Sequence, residues 1–297
     1  MVHKKFRIGQ LILGIILTLF AIICVVPMYL GVVASFTAQE YINVHGYAFF
    51  PVEFSLAGYE YVLDYGIQLV RSYLVTIWIT VAGTAWSLAI MSMFAYTLAR
   101  DCFQLRHAFS IMLLITMLFS GGRAAGYIIT TQVYNLKDTL WVLILPGVST
   151  MYVIIFRTYI QNSIPGSLIE SAKIDGAGEF RTFVQIILPC MIPTLASVGY
   201  MTAVGHWNAW EGALMYIESA WKTPLQLLLI RIEKNIQYLL DNAGQMSAQE
   251  YFEMVNSLPK DSTRFAIMVV CSGPILVAYP FFQKYFIQGI TMGSVKG

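Results

Sequence analysis

An apolar stretch of the sequence, residues 198–217, is long enough to cross a bilayer and contains five residues suited to binding chemistry: His206, Trp207, Asn208, Trp210 and Glu211. An ionised side chain in a membrane helix costs several kcal/mol when it faces lipid, so we expect Glu211 to face protein or a wet cavity. At about 100° per helical residue, Trp207, Trp210 and Glu211 lie on one face. Two aromatic planes beside an acceptor can stack on a sugar ring and bond its hydroxyl groups. The pattern predicts either the wall of a substrate path or a structural bond from Glu211 to a neighbouring subunit.

A second charge in an unusual place is Arg123, because Gly121, Gly122 and Arg123 break the apolar segment 109–129. Its side chain either extends to the outer membrane interface or contributes to a substrate path. If the substrate were acidic, Glu211 would repel it unless a cation lay closer. The cations to test are Arg123, Lys222 and Arg231.

Motifs for catalysis and cofactor binding are absent from the sequence. No G-x-x-x-x-G-K-[ST] occurs, so the chain has no P-loop for ATP, and no G-x-S-x-G or H-E-x-x-H occurs either. The four cysteines and four histidines are scattered, which argues against a metal site. No basic patch alternates with stacking aromatics, so nucleic acid is not an expected partner. We expect a chain without enzymatic activity and without a cofactor of its own.

The composition places these residues in a membrane protein. Of the 297 residues 58% are hydrophobic and 11% are charged, against about a quarter charged in soluble domains. We predict an all-α fold in a single transmembrane domain, residues 1–297, with six spans of about 20 or more apolar residues: 11–33, 73–99, 109–129, 140–160, 191–217 and 265–286. The second span has a small-residue face suited to close helix packing, formed by Thr76, Thr80, Gly83, Thr84, Ala85 and Ser87.

A polar segment broken by glycines, residues 162–189, separates the fourth span from the fifth, and we name it the elbow. Its pattern predicts two short helices: Ser167–Ile174, ended by Asp175-Gly176, and Glu179–Leu188, ended by Pro189. Gly176 or Gly178 can adopt the left-handed conformation at the break, and Asp175 can cap the second helix. Small residues there allow another surface to approach the backbone closely. The elbow is therefore either a docking surface or a capped loop without a partner.

The distribution of charge predicts the orientation of the spans. One side of the membrane receives ten basic and four acidic residues, and the other receives eight basic and twelve acidic residues. The basic side is cytoplasmic by the positive-inside rule, which places both termini and the elbow in the cytoplasm. The outer side then has two long loops, residues 37–70 and 218–264. The first loop is rich in acidic and aromatic residues, which predicts either a surface that contacts sugars or an aromatic belt at the membrane interface. The second loop is long enough to bind an extracytoplasmic partner.

Three groups of elbow residues resemble the EAA loop of membrane permeases in binding-protein-dependent ATP-binding-cassette (ABC) importers: Glu170-Ser171-Ala172, Asp175-Gly176-Ala177, and Phe180 with the run Ile186–Pro189. Ser171 departs from the pattern, which has alanine at that position. The resemblance implies a coupling helix that sits in a cleft of a separate ATPase subunit, where ATP and Mg²⁺ bind. The coupling residues it implies are Glu170, Ser171, Ala172, Asp175, Gly176, Ala177 and Phe180.

Two further segments, residues 95–100 (Ala-Tyr-Thr-Leu-Ala-Arg) and the C-terminal residues 283–297, resemble the second permease of maltose-type carbohydrate importers. In that branch residues around a matching Trp-Asn pair line the translocation path, which supports the region of Trp207 and Asn208 and leaves the face undecided. The second outer loop and the tail look closest to permeases for aldouronate or other acidic oligosaccharides. The implied partners are an ATPase dimer, an extracytoplasmic solute-binding protein and a second similar permease, with a heterodimer favoured and a homodimer open.

The function expected from these observations is ATP-driven import of an oligosaccharide through the bacterial cytoplasmic membrane. One alternative is the same machinery with amino acids, peptides or lipid-like molecules as substrates. Another is an ion-coupled secondary transporter, although such folds usually have inverted repeats and intramembrane ion ligands, and no clear repeat is present.

Overall fold

The computed structural model describes residues 8–242 and 259–294, and within these two ranges the regular structure is helical, with one isolated bridge between Thr37 and Phe54. The α-helices are α1 (Ile8–Ser35), α2 (Gln39–His45), α3 (Ala57–Leu63), α4 (Gly66–Ala99), α5 (Arg106–Leu118), α6 (Gly122–Ile128), α7 (Trp141–Ile144), α8 (Thr150–Ser163), α9 (Gly166–Ile174), α10 (Glu179–Thr182), α11 (Leu188–Cys190), α12 (Ile192–Trp207), α13 (Trp210–Tyr216), α14 (Leu225–Asn242) and α15 (Lys260–Ser294). Short π-helical turns, Ile129–Val133 and Phe183–Ile187, follow α6 and α10.

Within the described residues, three helices are long and apolar enough to cross a membrane without interruption: Gly9–Ser35, Gly66–Ala99 and Lys260–Lys284. The other apolar segments are helix pairs bent at a short break, by 114° between α5 and α6, by 41° between Gly147 and Thr150, and by 80° between α11 and α12. Counting each bent pair as one span gives up to six spans. The predicted break after Gly121 is confirmed, because Gly122 has a φ of +80° there.

One predicted span needs correction. The segment 191–217 is not one helix, because α12 ends at Trp207 and α13 begins at Trp210. The segment 37–70, predicted as an outer loop, contains α2 and α3, and the segment 218–264, also predicted as an outer loop, contains α14. Residues 243–258, and the tail beyond Ser294, lie outside the described residues.

The described chain forms two compact units, one from the residues up to Leu69 with Leu229–Gly273, and the other from Val70–Leu228 with the residues from Pro274 onward. In the first unit α2 caps the start of α15. The Gln39 side-chain oxygen accepts the backbone N–H groups of Asp261 and Ser262 at 2.8 and 3.1 Å. These are amides of a first helical turn, which lack partners inside the helix.

In the second unit α4 packs closely through its small-residue face, as predicted. The Thr76 hydroxyl accepts the backbone N–H of Leu225 at 2.8 Å in a buried contact. A methyl group built on Gly83 would lie 2.7 Å from the ring of His206, and one built on Gly147 would lie 2.6 Å from it. The buried imidazole of His206 therefore fills a space that exists because both neighbours are glycines.

We expect Gly83→Ala to destabilise the protein by about 1–3 kcal/mol, because the added methyl group overpacks the buried His206 ring. The matched control is Gly205→Ala on α12, where nothing lies within 4 Å of the new methyl group. That change should stabilise the helix by up to about 1 kcal/mol. Thermal unfolding in detergent measures both effects, and equal melting temperatures for the two variants would contradict the packing.

Candidate coupling surface and substrate path

The elbow begins with α9, which lies within one residue of the prediction, and ends in a glycine turn. Gly176 has a φ of +74°, whereas Gly178 has a φ of −69°, so Gly176 is the left-handed residue. The N–H of Ala177 bonds the carbonyl of Ala172 at 2.9 Å, and the N–H of Gly176 bonds the carbonyl of Lys173 at 3.0 Å. These two bonds form the Schellman motif that ends many helices. The turn therefore fixes the direction in which the chain leaves α9.

The second half of the elbow differs from the prediction. Asp175 does not cap the second helix, because it closes α9, and Gly178 occupies the N-cap position without a side-chain hydrogen bond. Pro189 does not stop that helix, which continues from α10 through the π turn and α11 to Cys190. Pro189 lies directly after the π turn, where the regular α-helical hydrogen-bond pattern is already interrupted.

The predicted coupling residues form a mostly exposed surface. The apolar side chains of Ile174 and Phe180 are 87% and 71% exposed, and the side chains of Glu170 and Asp175 are exposed beside them. Ala172 is the exception, because it is buried. Apolar groups displayed on a polar segment are typical of a protein interface.

Glu179 fixes the elbow to the end of α4. Its carboxylate accepts hydrogen bonds from the Tyr96 hydroxyl at 2.5 Å and from Arg100 Nε and Nη2 at 3.1 and 3.0 Å. Lys173 Nζ, across the glycine turn, lies 3.8 Å from the same carboxylate. We name these four residues the elbow clamp. The clamp joins a membrane helix to both halves of the elbow, and paired N–H groups from one guanidinium make its geometry specific.

The charges singled out at membrane depth pair with each other. Arg123 Nη2 in α6 lies 2.8 Å from Glu211 Oε2 in the first turn of α13, and the two side chains are 77% and 54% exposed. At the other end of these helices the rings of Tyr127 and Tyr216 stack at 5.6 Å between centroids. Helices α6 and α13 therefore meet through an ion pair and an aromatic pair.

A hydrogen-bond network around Asp138 holds the C-terminal end of α13 and the residues that follow it. The carboxylate of Asp138 accepts the N–H groups of Glu218 and Ser219 at 3.1 and 3.0 Å and pairs with Lys222 at 3.0 Å. Hydrogen bonds from Ser219, from its hydroxyl first, lower the pKa of the Asp138 carboxyl group. The N–H of Asp138 also bonds the carbonyl of Tyr216 at 2.9 Å. Lys222 is therefore engaged by Asp138.

The predicted wall of Trp207, Trp210 and Glu211 does not exist as one helical face. The helix ends at Trp207, and the turn at Asn208 and Ala209 separates it from α13. Trp207 is buried with its ring edge-on to Tyr73, so it belongs to the packing of the unit. Asn208 is exposed and accepts a hydrogen bond from Gln226 at 2.9 Å. Within the described residues no group of three His, Cys, Asp or Glu side chains could hold a metal ion.

Comparison with known proteins connects this geometry to a family. A family model described as the binding-protein-dependent transport system inner membrane component matches residues 103–292, which include the elbow, the clamp partner Glu179 and both charges of the Arg123–Glu211 pair. The chain belongs to this family.

Relatives of this transport component match the chain from end to end. The polygalacturonan/rhamnogalacturonan transport system permease protein YtcP of Bacillus subtilis (strain 168) is 34% identical over 99% of this chain and 100% of its own length. Protein LplC of the same organism is 36% identical over 93% of this chain and 90% of its own length. A chain in the crystal structure of a bacterial ABC transporter involved in the import of the acidic polysaccharide alginate is 25% identical, with a TM-score of 0.78 over 96% of this chain and 99% of that chain.

These findings confirm the resemblance drawn from the elbow motifs and the all-α membrane class. The chain is a membrane permease component of a binding-protein-dependent transport system, and such a component is not the catalytic subunit.

The stacked pair in this permease was not predicted from the sequence. Tyr127 follows Arg123 by four residues, and Tyr216 follows Glu211 by five. Residues four apart on a helix lie on one face, so a search along α6 from Arg123 would have found Tyr127, whereas Tyr216 lies about 140° around α13 from Glu211. The pairing of Arg100 with Glu179 had no comparable signal, because 79 residues separate them.

We expect the elbow clamp to show coupling between Arg100 and Glu179 in a double-mutant cycle. Arg100→Gln and Glu179→Gln should each lower the melting temperature, and the double variant should lose less than their sum. We expect a coupling energy on the order of 1 kcal/mol, because Glu179 is half exposed and its charge is partly screened. Asp101→Asn is the control, since it removes an ion pair with nearby Arg106 that does not hold the elbow. If the stability losses of the two single variants simply add in the double variant, Arg100 and Glu179 have no coupling energy.

Proposed function

We propose that the chain is one of two permease subunits of an ATP-driven importer and that its substrate is an oligosaccharide with carboxylate groups. The observation that carries the proposal is the end-to-end likeness to a polygalacturonan/rhamnogalacturonan permease and to a chain of the alginate importer. Both named substrates are polymers with acidic sugars. The exposed Arg123 gives this chain a cation that such a substrate could contact.

The topology we propose has six spans, with each bent helix pair counted as one and with both termini in the cytoplasm. The elbow, residues 162–189, is then a cytoplasmic coupling element between the fourth and fifth spans of a single transmembrane domain. The excess of basic residues on this side supports the orientation.

The partners we propose are an ATPase dimer, an extracytoplasmic solute-binding protein and a second similar permease, in a heterodimer. Ile174 and Phe180 would enter the ATPase cleft, and Glu170, Asp175 and Gly176 would contact its rim. ATP and Mg²⁺ would bind in the ATPase and not in this chain. The exposed apolar side chains of the elbow support this assignment, since no other part of the described chain packs over them.

In the mechanism we propose, closure of the ATPase dimer around ATP draws the two elbows together. The elbow clamp transmits this movement to α4, because Arg100 and Tyr96 hold Glu179 from the end of that helix. The cavity between the permeases then opens outward and receives the sugar, and ATP hydrolysis reverses the movement. An ion-coupled transporter would have no use for an exposed elbow of this kind.

We expect a tagged chain, purified from its native host in mild detergent, to bring with it an ATP-binding-cassette subunit, a second permease and a binding protein. In proteoliposomes with the ATPase facing the lumen, the complex should take up oligogalacturonides from outside when ATP is inside. Mass spectrometry identifies the partners, and labelled sugar measures uptake. Recovery of the chain alone, with uptake that follows an ion gradient and ignores ATP, would support the secondary transporter instead.

We expect Gly176→Val to lower ATP-driven uptake about tenfold or more while the membrane helices remain folded. A β-branched residue is strained at the φ of +74°, so the turn would open and the angle between the elbow helices would change. Gly178→Val is the matched control, because its φ is −69° and nothing lies within 4 Å of an added Cβ. Equal uptake by the two variants would show that the left-handed turn is not required for coupling.

A further inference from the structure

The place where α6 meets α13 combines three features of a built binding site. Both helices begin at breaks in apolar segments, after Gly121 and after Ala209. Irregular backbone at membrane depth is tolerated where it is buried in protein or lines a water-filled cavity. The side chains of Arg123 and Glu211 are mostly exposed, so these breaks are not buried within the described chain.

The ion pair at this place is suited to exchange. One nitrogen of Arg123 contacts one oxygen of Glu211, at 2.8 Å. A guanidinium has five N–H donors in a planar fork and binds a free carboxylate through two parallel hydrogen bonds. The contact with Glu211 thus uses part of the binding capacity of Arg123. Exposed ion pairs contribute little net stability, so a ligand that offers a better-oriented carboxylate can replace Glu211.

Tyr127 lies about one helical turn from Arg123, and Tyr216 lies five residues beyond Glu211. Tyr127 follows Arg123 along α6, and it stacks on Tyr216 of α13 with an angle of 13° between the rings. Tyrosine rings provide an apolar face for a pyranose ring and a hydroxyl group for its hydroxyls. The Asp138 network fixes the end of α13, so the charged and aromatic pairs are held at a set distance from each other.

We propose that Arg123 binds a carboxylate of the passing sugar, with Glu211 occupying Arg123 whenever no sugar is present. We name Arg123, Glu211, Tyr127 and Tyr216 the carboxylate site. The inference rests on the proposed function and deepens it, because it assigns the choice of acidic over neutral sugars to one pair of residues. A uronate displaces Glu211, and its carboxylate then pairs with the guanidinium of Arg123. A neutral sugar of the same shape leaves the internal pair intact.

The assignment gives the two charges opposite effects, which a merely structural ion pair would not. Arg123→Gln removes the cation and should weaken the apparent affinity for an acidic sugar by about tenfold or more. Glu211→Gln removes the competing carboxylate and should strengthen that affinity several-fold. Neither change should alter the affinity for a neutral sugar by more than about twofold.

The experiment measures ATP-driven uptake by the complete importer in proteoliposomes, with its binding protein in excess. The two probes are a short oligogalacturonide and its methyl ester, which have the same ring skeleton and differ in charge. The control variants are Lys137→Gln and Glu218→Gln, which remove another exposed ion pair, 2.7 Å long, away from both breaks. They should leave the ratio of acidic to esterified uptake unchanged.

The possible outcomes separate the two proposals. A fall in the ratio for Arg123→Gln and a rise for Glu211→Gln support the carboxylate site. Equal losses of both probes in the two variants overturn it and leave the importer function standing, because wild-type uptake is then intact. A wild-type complex that takes up neither probe contradicts the proposed function, and the role of Arg123 with it.

Discussion

Lipid offers no hydrogen-bond partner, so each backbone N–H and C=O at membrane depth must be satisfied by the protein or by water. A helix without interior proline meets this requirement along its length by itself, as α4 does. Three other apolar segments bend, by 114°, 41° and 80°, and each bend frees backbone groups that need protein or a wet cavity. The features that distinguish this chain from a simple bundle lie at such breaks. The Arg123–Glu211 pair joins the 114° bend to the further break between α12 and α13, and the elbow leads into the 80° bend.

Ion pairs connect segments of the second unit that are distant in the sequence. Arg100 and Glu179 are 79 residues apart, Asp138 and Lys222 are 84 apart, and Arg123 and Glu211 are 88 apart. Buried apolar side chains such as Met91, Phe156 and Ile187 provide the packing but are tolerant of small rotations. Charged hydrogen bonds require defined directions. Packing therefore stabilises the unit, while the charged contacts set the orientation of the elbow and of α6 against α13.

Local chemistry explains how far the sequence could predict this structure. Helix α9, the left-handed glycine after it and the break at Gly121 depend on neighbouring residues, and all three were predicted. The capping role of Asp175 was wrong because Asp175 ends α9, and Gly178 occupies the N-cap position of the second helix. The common face of Trp207 and Glu211 was wrong because a periodicity argument assumes an unbroken helix, and Asn208 and Ala209 break it. The contact between Arg100 and Glu179 depends on tertiary packing, which one sequence does not encode in any local pattern.

Charge balance explains why Arg123 and Glu211 occur as a pair. The pair is neutral overall, and each exposed charge has a partner of opposite sign when no ligand is bound. The proposed path can therefore keep a cation ready for an anionic substrate. When a uronate takes the guanidinium, the pair with the ligand is again neutral, and the displaced carboxylate of Glu211 must reach water. Its 54% exposure makes that movement small. The same exposure explains why the site can release the sugar, since Glu211 remains close enough to Arg123 to compete for it.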